Sequence, residues 1–201
     1  MSVKNGKLIY HLVPLDSLES IIRYGLRSRD DLKEIGINFI DTADQEILHE
    51  RERLGLSQYI PFHFHIHTAY DTAVKNKNIQ RTFIYICLHR DFARNNGFKI
   101  LPIHPASNEQ PELYEYDDGF EAIDWQTMEL KIPEAQSCGI DLRYHKQVRM
   151  AECLAISPIS VEFIQSIIVP DEETRDYVLS LFESFSVNTI PYVNVRNWFV
   201  N

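Results

Sequence analysis

The sequence predicts a single domain of the α+β class. Strand-like and helix-like segments are interleaved along its 201 residues, and no repeat, low-complexity tract or long linker separates them. With 44% hydrophobic and 24% charged residues, the chain has the composition of an ordinary globular protein with a sizeable core. Its seven glycines nowhere form GxGxxG or GxxxxGK[ST], so neither a Rossmann dinucleotide site nor a P-loop is supported. We expect one domain over residues 1–201.

The first half of the chain alternates strand and helix signals. "KLIYHLV" is strand-like, and "LDSLESIIRYGL" carries a helical apolar stripe that starts after Asp16 or Ser17 and ends at Gly25. A polar helix, "TADQEILHERERL", follows, with Thr42 or Asp44 as its N-cap. "YIPFHFHI", "RTFIYICLH" and "FKILPIH" are three further strand-like runs. This half therefore predicts four strands and two helices.

The second half begins with a long polar connection. "NEQPELYEYDDGFEAIDW" is acidic, aromatic and interrupted by Pro and Gly, which predicts a loop leading into a short helix. "MAECLAI" is a strand, and Ser157–Pro158 is a turn before the helix-like "SVEFIQSI". "IIVP" is a strand, "DEETRDYVLSLFESF" a helix, and "IPYVNVRNWFV" a final strand-like run.

The charge balance limits the classes of partner. The formal net charge is −9, with 20 Lys+Arg against 29 Asp+Glu, whereas proteins that coat nucleic acid are usually basic overall. A local basic groove is still compatible with this balance. Two basic clusters occur, and each is also explained as a solvated face: Lys75, Lys77 and Arg81, and Arg143, Lys146 and Arg149.

Cysteine usage and hydropathy predict a cytoplasmic protein. Cys87, Cys138 and Cys153 are scattered and form no CxxC pair, so neither a disulfide framework nor a Cys-based zinc site is indicated. No apolar run approaches the roughly 20 residues that cross a bilayer. The start of the chain lacks the apolar region of a secretory signal. We expect no membrane association.

Glu152 is the strongest local signal for a functional site. It lies within "VRMAECLAIS", an apolar strand in which an ionised carboxylate is costly unless it is paired or hydrogen-bonded. Two structural explanations exist: Glu152 faces outward on an edge strand, or it pairs with Arg149 or Arg143. The functional explanation is a catalytic carboxylate in a cleft.

The segment "HFHIH" is the second signal. In an extended strand, His63, His65 and His67 project to one face because the side-chain period is two. Three imidazoles on one face could bind zinc, with Asp71 as a further ligand, which makes a metal-dependent enzyme one hypothesis. A solvated face or the wall of a substrate cleft explains the same pattern, and we expect no bound metal.

Five segments gain meaning from their order along nearly the whole chain. They are "IYHLVPLDSLESIIRYGLRS", "LHERERLGLSQYIPFHF", "LPIHPAS" with the acidic stretch to "IDW", "KQVRMAECLAI" and "VNVRNWFV". In this order they resemble the DarT family of DNA ADP-ribosyltransferase toxins. The resemblance implies an ADP-ribosyltransferase-like split β-sheet core with peripheral helices, and NAD as the substrate, without a metal.

The resemblance also implies site residues. Glu152 matches the catalytic glutamate, Arg51 the arginine that works with NAD (or Arg53 under a small alignment shift), and His104 the histidine of the substrate loop. The NAD-binding positions that it implies are Tyr10, His11, Arg51, Phe62 and Phe64. For the nucleic acid, we expect local contacts from Arg143, Lys146 and Arg149.

The implied reaction is transfer of ADP-ribose to a base of single-stranded nucleic acid, as an intracellular toxin or phage-defence effector with a neutralising antitoxin as its partner. Tyr114, Tyr116, Phe120 and Trp125 could stack on the base, or pack on the body. The chain departs from the family at "HIHTAYDTAV", where an Arg-Ser-Pro-Met-like segment is usual, and at Val13 and Ser17, where Thr and Asn are usual. DNA is the main expectation, with RNA or protein as alternative targets and a silent binding module as another.

Overall fold

A twisted β-sheet organises the structure, a computed structural model that describes residues 2–39, 41–43, 45–105, 112–156 and 158–196. Within those ranges the sheet has eight strands in the order β5-β4-β6-β2-β1-β3-β7-β8, antiparallel except for the β7–β8 pair. The strands are β1 (Leu8–Pro14), β2 (Ile60–His63), β3 (Phe83–His89), β4 (Lys99–Leu101), β5 (Tyr114–Glu115), β6 (Glu152–Ala155), β7 (Ser166–Val169) and β8 (Tyr192–Val195).

Helices surround the sheet, so the α+β prediction is confirmed. They are α1 (Leu18–Tyr24), α2 (Arg29–Glu34), α3 (Gln45–Arg53), α4 (Ala69–Lys77), α5 (Arg90–Asn95), α6 (Tyr116–Ala122), α7 (Trp125–Glu129), α8 (Ile132–Ser137), α9 (Leu142–Val148) and α10 (Glu172–Ser184). The main core includes apolar side chains of α1, α10 and the central strands. Short 3-10 turns cover Leu15–Ser17 and Val161–Phe163.

The sheet is split between β1 and β2. β1 pairs with β3 along seven residues, but it pairs with β2 only where Tyr10 faces His63. Continuing this register would bring Leu12 against Pro61, and proline has no N–H to give to the ladder. The Nδ1 atom of His11 instead donates to the carbonyl oxygen of Pro61, at 2.6 Å. The two halves, β5-β4-β6-β2 and β1-β3-β7-β8, therefore diverge, as the predicted split core requires.

Several sequence predictions change at the level of single elements. The "SVEFIQSI" helix is wrong, because the structure has only the 3-10 turn Val161–Phe163 before β7. The predicted acidic loop contains β5, α6 and α7. The strand "YIPFHFHI" ends at His63. Three predictions lie partly outside the described residues: Asp44 as a cap, the turn at Ser157, and the chain end after residue 196.

Gly25 sets the direction in which the chain leaves α1. Its φ of 78° and ψ of 167° belong to a region that only glycine enters readily. Leu26 then pairs with Ile159 through two backbone hydrogen bonds of 2.8 and 2.9 Å. A Cβ atom at position 25 would lie 2.8 Å from the carbonyl oxygen of Ile159. Both conformation and space therefore require glycine here, as the predicted helix end suggested.

We expect Gly25→Ala to destabilise the fold much more than Gly36→Ala, measured as the free energy of unfolding in denaturant. Gly36 also has a positive φ, 69°, but a Cβ there meets no atom within 4 Å. Gly36→Ala should cost about 1 kcal/mol for the left-handed conformation alone. Gly25→Ala should cost at least about 2 kcal/mol, because the contact with Ile159 adds to the strain. Equal losses would show that the close approach has no energetic weight.

Candidate active site

A cavity of about 230 Å³ occupies the split between the two half-sheets. β1 and β2 form its sides, and the segment from α1 to α3 covers it. The acidic, basic and tyrosine side chains that line it are His11, Asp16, Arg27, Arg29, Asp41, Arg51, Tyr59, His63, Tyr70, Asp71, His104 and Glu152. Because β1 and β2 diverge here, residues of both strands line the cavity, among them His11, Pro61 and His63.

Glu152 and Arg51 form a buried ion pair in the cavity. Glu152 starts β6 and Arg51 lies on α3, and each residue is 4% exposed. Nη1 of Arg51 donates to both carboxylate oxygens at 2.8 Å. β6 is an interior strand, between β4 and β2, so the outward-facing explanation for Glu152 is wrong. The predicted pairing with Arg149 or Arg143 is also wrong, since Arg51 is the partner.

The charge of Glu152 is maintained by its neighbours. Burial alone would raise the pKa of Glu152, but the charges of Arg51 and His63, the hydrogen bond from Arg51 and the nearby His104 lower it below the usual range. Glu152 is therefore an anion at neutral pH, buried in the wall of the cavity. In such a place a charge acts more strongly on a developing cation than it would in water.

Arg51 has further N–H groups besides those that bind Glu152. Its Nε and Nη2 atoms are buried, and no hydrogen-bond acceptor faces them within the described part of the chain. A buried donor without a partner costs roughly 1–3 kcal/mol. Arg53, the alternative choice, pairs with Glu50 on the exposed side of α3. The geometry therefore places Arg51, and not Arg53, at the cavity with free donors for an anionic or carbonyl oxygen.

Two histidines in the cavity are neutral at pH 7. Burial lowers the pKa of His11 to about 4, opposed in part by the hydrogen bond to Pro61. Because Nδ1 carries the proton in that bond, Nε2 is the acceptor of the ring. His104 lies on the predicted substrate loop, and its backbone N–H donates to Gln147 of α9 at 3.1 Å. Burial lowers the pKa of His104 as well, although Glu152 opposes the shift.

The opposite wall contains groups that the sequence did not indicate. Arg29 binds Asp41 with two hydrogen bonds, Nε to Oδ2 at 2.8 Å and Nη2 to Oδ1 at 3.0 Å. Tyr70 of α4 makes a hydrogen bond with Thr42, and its ring lies 6.3 Å from that of His63. Arg29 begins α2 and Asp41 lies 12 positions later, and no sequence periodicity relates the two residues. The structure was therefore needed to identify this wall.

Three residues expected to bind NAD do not line the cavity. Tyr10 lies on the other face of β1 from His11, where its ring makes an edge contact with Tyr85, with centroids 6.4 Å apart. Phe62 is fully buried beside the rings of His11 and Phe98, at 5.4 and 6.2 Å. Phe64 packs against Trp125, at 5.4 Å. The phenylalanines support the cleft from behind.

The aromatic residues considered for base stacking are mostly packed together. Trp125 and Tyr116 are each 8% exposed, and the ring of Phe120 lies between them, 4.6 Å from Trp125 and 6.1 Å from Tyr116. The guanidinium of Arg90 covers this cluster at 5.8 Å from both Phe120 and Trp125. Tyr114 donates its hydroxyl to Glu112. The structure thus gives these rings a packing role.

The three histidines of "HFHIH" do not share a strand face. β2 ends at His63, and the backbone of His67 has a positive φ of 59°. Nδ1 of His65 donates to the carbonyl oxygen of Ile66 at 2.7 Å. In the described ranges, no three His, Cys, Asp or Glu side chains are placed to hold a metal ion. The geometric premise of the metal-enzyme hypothesis is therefore wrong.

The second basic cluster lies on α9 and at its C-terminal end. Arg143 and Lys146 are exposed on α9, which leads into β6 and Glu152. Arg149 is partly buried and donates to the carbonyl oxygen of Leu130 at 3.2 Å. The same helix accepts a hydrogen bond from the backbone N–H of His104 at the carbonyl oxygen of Gln147.

The split β-sheet and the buried Arg51–Glu152 ion pair in its cleft agree with the ADP-ribosyltransferase class that the sequence resemblance implies. The family model described as "ssDNA thymidine ADP-ribosyltransferase, DarT" matches residues 10–200. The chain therefore belongs to the DarT family, and the expected family and enzyme class are confirmed.

Solved structures agree with this assignment at the level of the fold. The chain is 17% identical to Thermus sp. 2.9 DarT in complex with ADP-ribosylated ssDNA, with a TM-score of 0.79 over 97% of this chain and 96% of that one. A second structure of the Thermus protein, in complex with NAD+, gives 16% identity and a TM-score of 0.75, covering 98% of each chain. Thermosipho africanus DarTG in complex with ADP-ribose gives 19% identity and a TM-score of 0.66, covering 96% of this chain and 51% of that one. No curated protein sequence matches the chain.

None of the helices in the described ranges combines the length and the hydrophobicity that a bilayer crossing needs.

We expect the free energy of unfolding to fall as the pH is lowered from about 6.5 to about 4, and to fall less in His11→Gln. Burial lowers the folded-state pKa of His11 to about 4, so the unfolded chain, near 6.5, binds more protons in this interval. Glutamine can still donate to Pro61 but does not titrate there. His65, whose pKa burial and Arg149 also lower to about 4, makes the same kind of contribution. Denaturant unfolding at several pH values measures the free energy of unfolding of wild type and of His11→Gln. Identical pH profiles for the two proteins would contradict the lowered pKa of His11.

Proposed function

We propose that this chain, as one catalytic domain over residues 1–201, transfers ADP-ribose from NAD+ to a thymidine base of single-stranded DNA. The observation that carries the proposal is the ionised, buried Glu152, held by Arg51 in the cleft of a chain that belongs to the DarT family. The printed descriptions of the similar structures, with NAD+ and with ADP-ribosylated ssDNA, support the same two substrates.

Glu152 would act on the ribose that loses nicotinamide. Breaking the bond between that ribose and nicotinamide develops an oxocarbenium-like charge, as in glycoside hydrolysis. A carboxylate that accepts a hydrogen bond from the ribose 2′-hydroxyl stabilises this charge. The base then forms a new bond to the ribose carbon, and nicotinamide leaves with the electron pair of the broken bond. The proton lost by the base passes to a nearby acceptor, for which Glu152 and the neutral His104 are the candidates.

Arg51 would have two functions. One Nη1 contact orients Glu152, and the donors at Nε and Nη2 would bind an oxygen of NAD+. Nε2 of His11 is an acceptor at the same cavity, suited to a ribose hydroxyl. These assignments provide a partner for the buried Nε and Nη2 donors of Arg51, which have no acceptor among the described residues. They also provide a donor for the Nε2 acceptor of His11.

The nucleic-acid strand would approach along the basic face of α9. Arg143, Lys146 and Arg149 provide a few phosphate contacts next to His104, in a protein whose net charge is −9. A base must leave its stack to reach the ribose, which favours single strands over duplex. We infer that the protein works in the cytoplasm as a toxin or defence effector and is neutralised by an antitoxin protein.

RNA is the second candidate target. It rests on the segment "HIHTAYDTAV" after β2, which differs from the segment that the resemblance led us to expect and contributes Tyr70 and Asp71 to the cavity. Transfer to protein would use the same Glu152 and Arg51. The target class is therefore separable from the NAD+ chemistry by experiment.

We expect Glu152→Gln to lower transfer by at least about 10³-fold, since glutamine keeps the volume but cannot stabilise the developing cation. Labelled ADP-ribose on a thymidine-containing oligonucleotide measures the rate. Glu183→Gln, on the exposed side of α10, is the matched control and should keep wild-type activity. An unfolding transition close to that of wild type would show that the variant is folded, and full activity in folded Glu152→Gln would refute the catalytic assignment.

We expect label on single-stranded DNA that contains thymidine, and little on duplex DNA or on a strand without thymidine. The rate should decrease with salt along a shallow slope, because only a few phosphates are contacted. Matched single-stranded RNA and a lysate protein fraction complete the panel. Label on RNA but not DNA would establish the alternative target, and label on protein alone would overturn the nucleic-acid assignment.

A further inference from the structure

One wall of the cavity is held by polar contacts without core packing. Residues 29–39 and 41–43 include no buried residue, although Leu32, Phe39 and Asp41 line the cavity. Among the described residues, the polar contacts that fix this wall include the capping box of α2, the Arg29–Asp41 ion pair, the hydrogen bond from the N–H of Ala43 to Asp41 and the Tyr70–Thr42 hydrogen bond. A segment without buried side chains has low local stability, so its position depends on these polar contacts.

The Arg29–Asp41 pair has the geometry of a fixed guanidinium. Nε and Nη2 of Arg29 bind the two carboxylate oxygens of Asp41 side by side, at 2.8 and 3.0 Å. The two side chains are 21% and 26% exposed. A guanidinium has five N–H groups, and this arrangement uses two of them. The pair therefore orients Arg29 while leaving donors for another acceptor.

Arg29 lies where it can serve the reaction. It lines the cavity together with Glu152 and His11. It is close enough to both for its charge to act on them, because Glu152 helps to hold the guanidinium charged and Arg29 helps to keep His11 neutral. Arg51, in contrast, directs Nη1 to Glu152. Of the three arginines that line the cavity, Arg51 thus contacts the catalytic carboxylate, Arg27 binds the carbonyl oxygen of Tyr24, and Arg29 is held by Asp41.

We propose that Arg29 binds the diphosphate of NAD+ and that Asp41 is a positioning residue, which acts through Arg29. The inference rests on the proposed function. A planar fork with adjacent N–H groups matches the oxygens of a diphosphate better than an ammonium does. Holding that fork in place before the ligand arrives reduces the entropy lost on binding. The diphosphate lies one ribose away from the reacting carbon, which agrees with an Arg29 that is near Glu152 but not bonded to it.

The first test is calorimetric binding of ADP-ribose, which carries the diphosphate but is not consumed. Arg29→Gln should weaken ADP-ribose binding by about 10-fold or more, the usual effect of losing a charge-assisted hydrogen bond. Arg29→Lys should fall between Gln and wild type. Adenosine, which lacks the diphosphate and is measured by displacement, should change by less than about 2-fold. Arg53→Gln is the matched control and should bind ADP-ribose like wild type, since Arg53 does not line the cavity and pairs with Glu50 on the exposed side of α3.

The second test separates positioning from a general structural role. Asp41→Asn should weaken ADP-ribose binding less than Arg29→Gln does, and Asp41→Glu should restore part of the loss. The double variant Arg29→Gln/Asp41→Asn should bind no more weakly than Arg29→Gln alone, because asparagine can still accept the hydrogen bond from the N–H of Ala43 and loses only its charged contact with Arg29. Multiplying losses, equal losses for adenosine, or tighter binding by Asp41→Asn would overturn the proposal.

The role of Arg29 and the proposed function can be refuted separately. A wild-type chain that consumes NAD+ while Arg29→Gln binds ADP-ribose normally would refute the role of Arg29 alone. A wild-type chain that neither binds ADP-ribose nor consumes NAD+ would refute the proposed function, and the role of Arg29 with it.

Discussion

Pro61 is the constraint on which the site depends. A proline in an interior strand removes the N–H that the next pair of the β1–β2 ladder needs, so the pairing stops after Tyr10 and His63. The imidazole of His11 satisfies the carbonyl oxygen of Pro61 from the side and keeps the two half-sheets at a defined separation. The cavity between them, and the exposure of Glu152 to it, follow from this single interruption.

The cleft then allows a charge to be buried at a tolerable cost. Glu152 loses its hydration, and Arg51 returns two short hydrogen bonds and an opposite charge. The compensation is incomplete on the side of Arg51, whose Nε and Nη2 lack acceptors among the described residues. Buried pairs of this kind add little to stability.

Much of the site was predictable from the sequence because its signals are local. Glu152 was visible as one carboxylate among apolar neighbours, and the order of motifs indicated Arg51 and His104. The choice of Arg51 over Arg53 was not predictable, since it depends on a contact between residues 101 positions apart. The "HFHIH" pattern gave a wrong prediction because the alternation of histidines continues in the sequence after β2 has ended at His63. A capping box at Thr68 starts α4, and the chain must turn at His67 to reach it.

The absence of buried residues in the described part of the wall from 29 to 43 has a consequence for redesign of the cleft. A substitution there leaves no void in the core, because no side chain of the described wall is fully packed. Phe62 and Phe64, in contrast, are 0% and 2% exposed, and shortening either one would remove core packing. The wall is therefore the part of the cleft whose side chains can be exchanged at the smallest cost in folding free energy.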